Sequence, residues 1–184
     1  CDVHKVFGIN RPIAGVIHIG KGETFILNKL LPVFRVGVYA DAYGGNGGFA
    51  QSGGGSASLG GTGGTATAGT ATINLKQDDV SDRDYYASAG AFGGNGGGGD
   101  IAGNGGNAAG GFVTININDA QIAASTIVLD AFAAGGIGGS SNLAGSPGGN
   151  GGNALGGTAS LIADGVNADY STSVETYMTV EAVG

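Results

Sequence analysis

Apolar and polar side chains alternate with a period of two along several stretches of this chain. Thr72-Ile73-Asn74-Leu75-Lys76 and Thr114-Ile115-Asn116-Ile117-Asn118 put apolar residues on one face and polar residues on the other, the pattern of a half-buried β-strand. Ser125 to Ala131 continues the alternation, and Ser173 to Ala182 sets Val174, Thr176, Met178, Val180 and Ala182 on one side. Turn-forming residues punctuate these runs: Asp78-Asp79 with Ser81-Asp82, Asn118-Asp119, and Asp164-Gly165 followed by Asn167. Asp and Asn close turns by bonding to nearby backbone, and Gly accepts positive φ. No segment carries a 3.6-residue apolar stripe, so almost no helix is expected.

The pattern also repeats over a longer range. GTGGTATAGTATI (Gly61 to Ile73), GNGGNAAGGFVTI (Gly103 to Ile115) and GNGGNALGGTASL (Gly149 to Leu161) align without gaps. An Ala-rich strand running into a glycine cluster recurs from Ala40, Ser88 and Asp130, and the first glycines, Gly44, Gly93, Gly135 and Gly184, lie 49, 42 and 49 residues apart. Repeats of this length are the mark of a stacked array. The fold expected is all-β: a parallel β-solenoid-like array with glycine-rich excursions. In GGNGGF, GGNGGGG and GGIGG every third residue is Gly, the period of a polyproline II helix, which has no internal hydrogen bonds. Without side chains such strands can approach closely enough to bond sideways as polyglycine II; flexible linker is the alternative.

Residues 1 to 38 read differently, as an apolar head that either caps the array or donates a strand to a neighbouring molecule, while residues 39 to 184 hold the repeats. Val16, Ile17 and Ile19 are the candidate self-assembly strand, flanking His18 in an alternating run. The head carries Lys5, Arg11, Lys21, Lys29 and Arg35, five of the seven basic residues, against Asp2 and Glu23; the body carries twelve acids, and the net charge is -7. An acidic body repels phosphate, which disfavours nucleic acid and simple docking on anionic lipid. Cys1 is the one cysteine, so membrane contact is expected only if it is lipidated; a processing site is the plainer reading.

Catalytic chemistry finds little to stand on. His4 and His18 are the only histidines, and no HExxH, CxxC or GxSxG occurs, so neither a zinc site nor an activated nucleophile is indicated. The Gly94 to Gly99 match to GxGxxG is expected by chance among 42 glycines. A carbohydrate-active array would need paired carboxylates, and Asp119, Asp130 and Asp164 read as turn or strand-edge acids. No cofactor is expected; calcium at Asp78, Asp79, Asp82 and Asp84 is a side reading against solvated turn acidity. The variable excursions hold the candidate partner-binding residues Phe49, Gln51, Ser141 and Asn142.

The run GGNGGNALGGTASLIADGVNADYSTSVETYMTVEAVG resembles the β-strand repeats of large bacterial surface proteins, the haemagglutinin-like and autotransporter-like adhesins, over residues 39 to 184. The resemblance implies a parallel β-solenoid, secreted or at the cell surface, that mediates attachment, aggregation or biofilm. Its partners would be an extracellular or cell-surface receptor or, in a filament subunit, further copies of itself. The glycine clusters are also similar to the receptor-binding tips of phage tail fibres, and the Thr-x-Thr pairs at Thr65, Thr67, Thr70 and Thr72 to ice-binding faces.

Overall fold

The computed structural model describes residues 24–27, 35–51, 57–76, 80–119, 121–165 and 169–184. Among them every regular element is a strand: β1 (Thr24–Leu27), β2 (Arg35–Tyr39), β3 (Ala42–Tyr43), β4 (Ala66–Thr67), β5 (Thr70–Lys76), β6 (Val80–Phe92), β7 (Ala108–Ala109), β8 (Phe112–Asn118), β9 (Gln121–Ala134), β10 (Ala154–Leu155), β11 (Thr158–Asp164) and β12 (Asp169–Val183). All pairings are parallel. One sheet runs β1-β5-β8-β11, a second β12-β9-β6-β2 with β3 also on β6, and a small third β10-β7-β4.

Each strand pairs with its counterpart from the adjacent repeat, so identical places in the repeat stand side by side. Ile73, Ile115 and Leu161 form one such row, and Thr72, Thr114 and Ser160 another. A row of apolar residues in parallel register keeps every strand's buried face on the same side. On the polar side of the same sheet Asn116 Nδ2 donates to Asn74 Oδ1 at 2.7 Å. The β1 and β2 segments join these sheets, and residue 38, drawn as the end of the head, lies inside β2.

Turn chemistry explains two of the corners. Asp119 follows β8 with φ of 49°, and Gly165 follows β11 with φ of 110°. A side chain at Gly165 would be strained by that φ and would also run into the Asp119 carboxylate. Ser81 and Asp82, expected in a turn, lie instead inside β6; Asp78 and Asp79 fall outside the described residues. In β12, Thr176, Met178, Val180 and Ala182 align with Ile127, Leu129, Ala131 and Ala133, whereas Val174 falls at a register break between Thr172 and Glu175.

The core narrows in one direction. Near the turns it holds Leu75, Ile117, Tyr85, Ile127 and Leu129; farther along the long strands it holds Ala89, Ala91, Ala131 and Ala133, together with Ala66, Ala68 and Ala108 from the short strands. Facing sheets stand about 10 Å apart when large side chains fill the gap. Shrinking those side chains to Ala lets the walls converge, and beyond Ala the sequence turns to Gly.

The two ends of the layer order differ. In the first layer Val38 is 1% exposed, while in the last Met178, in the same inward row, is 50% exposed and Val180, two residues farther along, 52%. On that side β11 and β12 are the edge strands of their sheets.

Candidate functional site

Where the walls converge, six glycine segments replace the sheets: residues 44–48, 60–64, 93–97, 103–106, 135–139 and 148–152. They form two columns, one leaving the long strands and one entering the short strands. Between columns, N–H to O=C bonds of 2.7–2.9 Å join glycine directly to glycine: Gly61 and Gly64 donate to Gly48 and Gly45, Gly97 and Gly94 donate to Gly61 and Gly64, and Gly103 and Gly106 donate to Gly97 and Gly94. Gly139 and Gly136 then donate to Gly103 and Gly106, and Gly149 and Gly152 to Gly139 and Gly136. Such contact excludes side chains, since a Cβ at Gly94 would overlap the Gly45 carbonyl oxygen and one at Gly105 that of Gly136.

Along each segment the bonding repeats every third residue, and the three successive N–H groups find different kinds of partner. Gly93 donates within its own column to Ala134 O at 2.8 Å, Gly94 donates across to Gly64 O at 2.9 Å, and Asn95, facing outward, donates to Asn46 Oδ1 at 2.9 Å. The same use of asparagine recurs where Ile137 N bonds Asn95 Oδ1, Asn150 N bonds Asn104 Oδ1 and Asn153 N bonds Asn107 Oδ1, all at 2.9 Å. The Asn side chains therefore supply the acceptors that the outward N–H groups would otherwise lack within the protein. Sequence reasoning missed this role, although Asn at the middle of GGNGG was its signal.

The far ends of the excursions come together. Ser58 N donates to Asp100 Oδ2 at 2.9 Å, Asp100 N to Ser58 Oγ at 3.0 Å, and Ser141 Oγ to Asp100 O at 2.8 Å. Parallel bridges join Leu59 to Ile101 and Gly99 to Ser141. Asp100 is the buried charged residue at this clasp, 7% exposed. Around it Phe49 is 78% exposed and Leu59 68% exposed, with Ile101 and Leu143 also in solvent. Phe49 lies over Gly98, where a Cβ would stand 2.6 Å from its ring.

Of the candidate partner-binding residues, Phe49, Gln51 and Asn142 are exposed at these tips. Ser141 is half-buried and belongs to the clasp, its Oγ also accepting from Leu143 N at 3.2 Å. Cys1, Val16, Ile17 and Ile19 lie outside the described residues.

On the outer side of the second sheet Tyr43 stacks on Phe92 with centroids 5.0 Å apart and planes 8° apart, and Phe132 tilts against Phe92 at 5.4 Å. Beside this row Asp130 is held above the ordinary carboxylate range, first by burial and then by the charges of Glu181 and Asp41. Asp41 also caps Gly90 N at 2.9 Å. Asp119 and Asp164 sit at a turn, joined by Asp119 N to Asp164 O at 3.0 Å. Among the described residues no group of three or more His, Cys, Asp or Glu is placed to hold a metal ion, and Asp82 and Asp84 lie along strand β6. Comparison with protein-family models, with curated proteins and with solved structures finds no match.

Proposed function

We propose that this chain is an extracellular structural and adhesive repeat protein, secreted or displayed at a bacterial cell surface, that mediates attachment or aggregation. Its fold is read as a parallel β-solenoid whose coils each end in a pair of polyglycine II strands. The observation that carries the reading is the shared tip: three excursions meet at the Ser58–Asp100–Ser141 clasp and expose Phe49, Leu59, Ile101 and Leu143 there. A rigid glycine base presenting exposed apolar and amide side chains suits contact with an extracellular receptor. No catalytic role is assigned. The test is adherence of the labelled chain to cell-envelope and matrix-coated surfaces, compared with a Phe49→Ser/Leu59→Ser/Leu143→Ser variant of equal thermal stability. At least a severalfold loss is expected, and equal adherence by the variant overturns the tip as the adhesive site.

A second reading, a subunit of a self-assembling filament, is favoured by the difference between the ends of the array. The last layer leaves Met178 and Val180 half-exposed beside edge strands β11 and β12, and the chain's basic residues concentrate toward its N-terminus. In this reading the segment containing Val16, Ile17 and Ile19 adds to that edge in a neighbouring copy. Negative-stain electron microscopy with size-exclusion chromatography separates the readings. Polymers that vanish on deletion of residues 1–20 support assembly through that segment, and dispersed single chains before deletion remove it.

A further inference from the structure

The bonds between glycine columns advance by a fixed rule. Each new segment places two N–H groups on two carbonyls of the segment before it, and five successive steps, from 44–48 to 148–152, are completed in this way. After the fifth, the Gly149 and Gly152 carbonyls, which stand where Gly61 and Gly64 accept from Gly97 and Gly94, accept nothing from the described residues. Gly138 N likewise donates to none of the described residues, although its counterparts Gly47 N and Gly96 N donate to Asn95 O and Ile137 O. Between these groups lies a groove of about 430 Å³, lined by Gly136, Gly138, Gly149, Gly151 and Gly184 among others.

From these features we infer that the groove binds an extended polypeptide strand of the pattern Gly-Xaa-Xaa-Gly. Two earlier copies of the same groove exist in this chain, and glycine strands fill both: 93–97 occupies the first and 135–139 the second. Gly184 follows β12 as Gly93 follows β6 and Gly135 follows β9, so it stands in the first place of the strand and the groove takes the next four residues. The first of these donates to Gly152 O, the second offers its carbonyl to Gly138 N, and the fourth donates to Gly149 O. In the filled copies a Cβ at Gly94, Gly97, Gly136 or Gly139 would overlap a carbonyl of the segment before it in the same column, so the first and fourth residues must be glycine, whereas Gly96 and Gly138, in the third place, are crowded only by the segment that packs after them. The second residue faces outward, where Asn95 and Ile137 stand in the strands that fill the two earlier copies. This inference rests on the groove's geometry and is independent of the adhesive reading.

A blocking substitution is available that spares the chain's own packing. A Cβ at Gly63 or Gly105 would overlap the carbonyl of the strand lying in the groove, Gly94 or Gly136, whereas at Gly151 the nearest atom is Gly136 O at 3.7 Å, an ordinary contact. Gly151→Ala thus closes the groove to a strand and leaves the unfilled protein undisturbed. The experiment joins Gly-Asn-Gly-Gly directly after Gly184 and measures hydrogen exchange at the Gly138 amide by NMR. Protection of that amide is expected to rise at least about tenfold, equivalent to about 1.4 kcal/mol. The rise should be absent with Ala-Asn-Ala-Ala in the same place, and absent for the glycine extension on Gly151→Ala. Unchanged exchange with the glycine strand, or equal protection by the alanine strand, overturns the inference; the latter comparison holds even if Gly151→Ala were to unfold the protein.

Discussion

Glycine in this protein is selected position by position. At Gly94 an added methyl group would overlap the Gly45 carbonyl, while at Gly45 it would meet nothing within 4 Å. Gly94→Ala is therefore expected to cost about 3 kcal/mol or more by overpacking, and Gly45→Ala to change stability by about 0.5 kcal/mol at most; urea unfolding of the two variants checks the contrast. Asparagine is equally specific in its place. Asn95→Ala should cost about 0.5–1.5 kcal/mol through loss of the bond from Ile137 N, with faster exchange of the Ile137 amide. Asn95→Asp should restore that protection because it keeps the accepting oxygen. Asp130 supplies a pH dependence. Its folded-state pKa is raised by burial and by Glu181 and Asp41, so the folded state holds its proton more firmly and its stabilising share is lost as pH rises through that range. Asp130→Asn should accordingly raise Tm slightly near pH 7, by about 1 °C for this part-exposed group. The gain should vanish below the ordinary carboxylate range, as calorimetry at both pH values would show.

At the scale of elements, the parts governed by neighbours in sequence were legible and those governed by the next repeat were not. Alternation located β5, β8, β9 and β12, and Asp119 and Gly165 marked corners, because a strand's face and a turn's φ are written in adjacent residues. The short strands β4, β7 and β10 escaped, since two Ala or Thr residues carry no period. The clasp escaped too: Asp100 finds Ser58 42 residues away and Ser141 41 residues away, and only the register of the layers brings them together. Its removal should act locally. Asp100→Ala is expected to cost about 1–3 kcal/mol by stripping the partner from Ser58 N, and to speed amide exchange at the tips far more than in β5 or β8. Uniform loss of protection across the sheets would contradict that view of the tip as a separately opening unit.

For the whole molecule, the wedge from Tyr85 and Leu129 through paired alanines to bare glycine explains how one chain combines a conventional sheet core with a bundle held by backbone bonds. The strand regions draw on apolar burial and the bundle does not, so the bundle depends on the sheets to hold its segments in line. The order of the layers also has a mechanical meaning. Described residues at the two extremes, β1 and Gly184, belong to the first and last layers, and the bonds between layers join one repeat to the next. Tension applied between those extremes loads the layers one after another, as a zip is loaded, instead of shearing all of them at once. Each release would free one repeat of 42 to 49 residues, up to roughly 150–180 Å of extended chain. Such a tether lengthens in steps under load and dissipates work at every step.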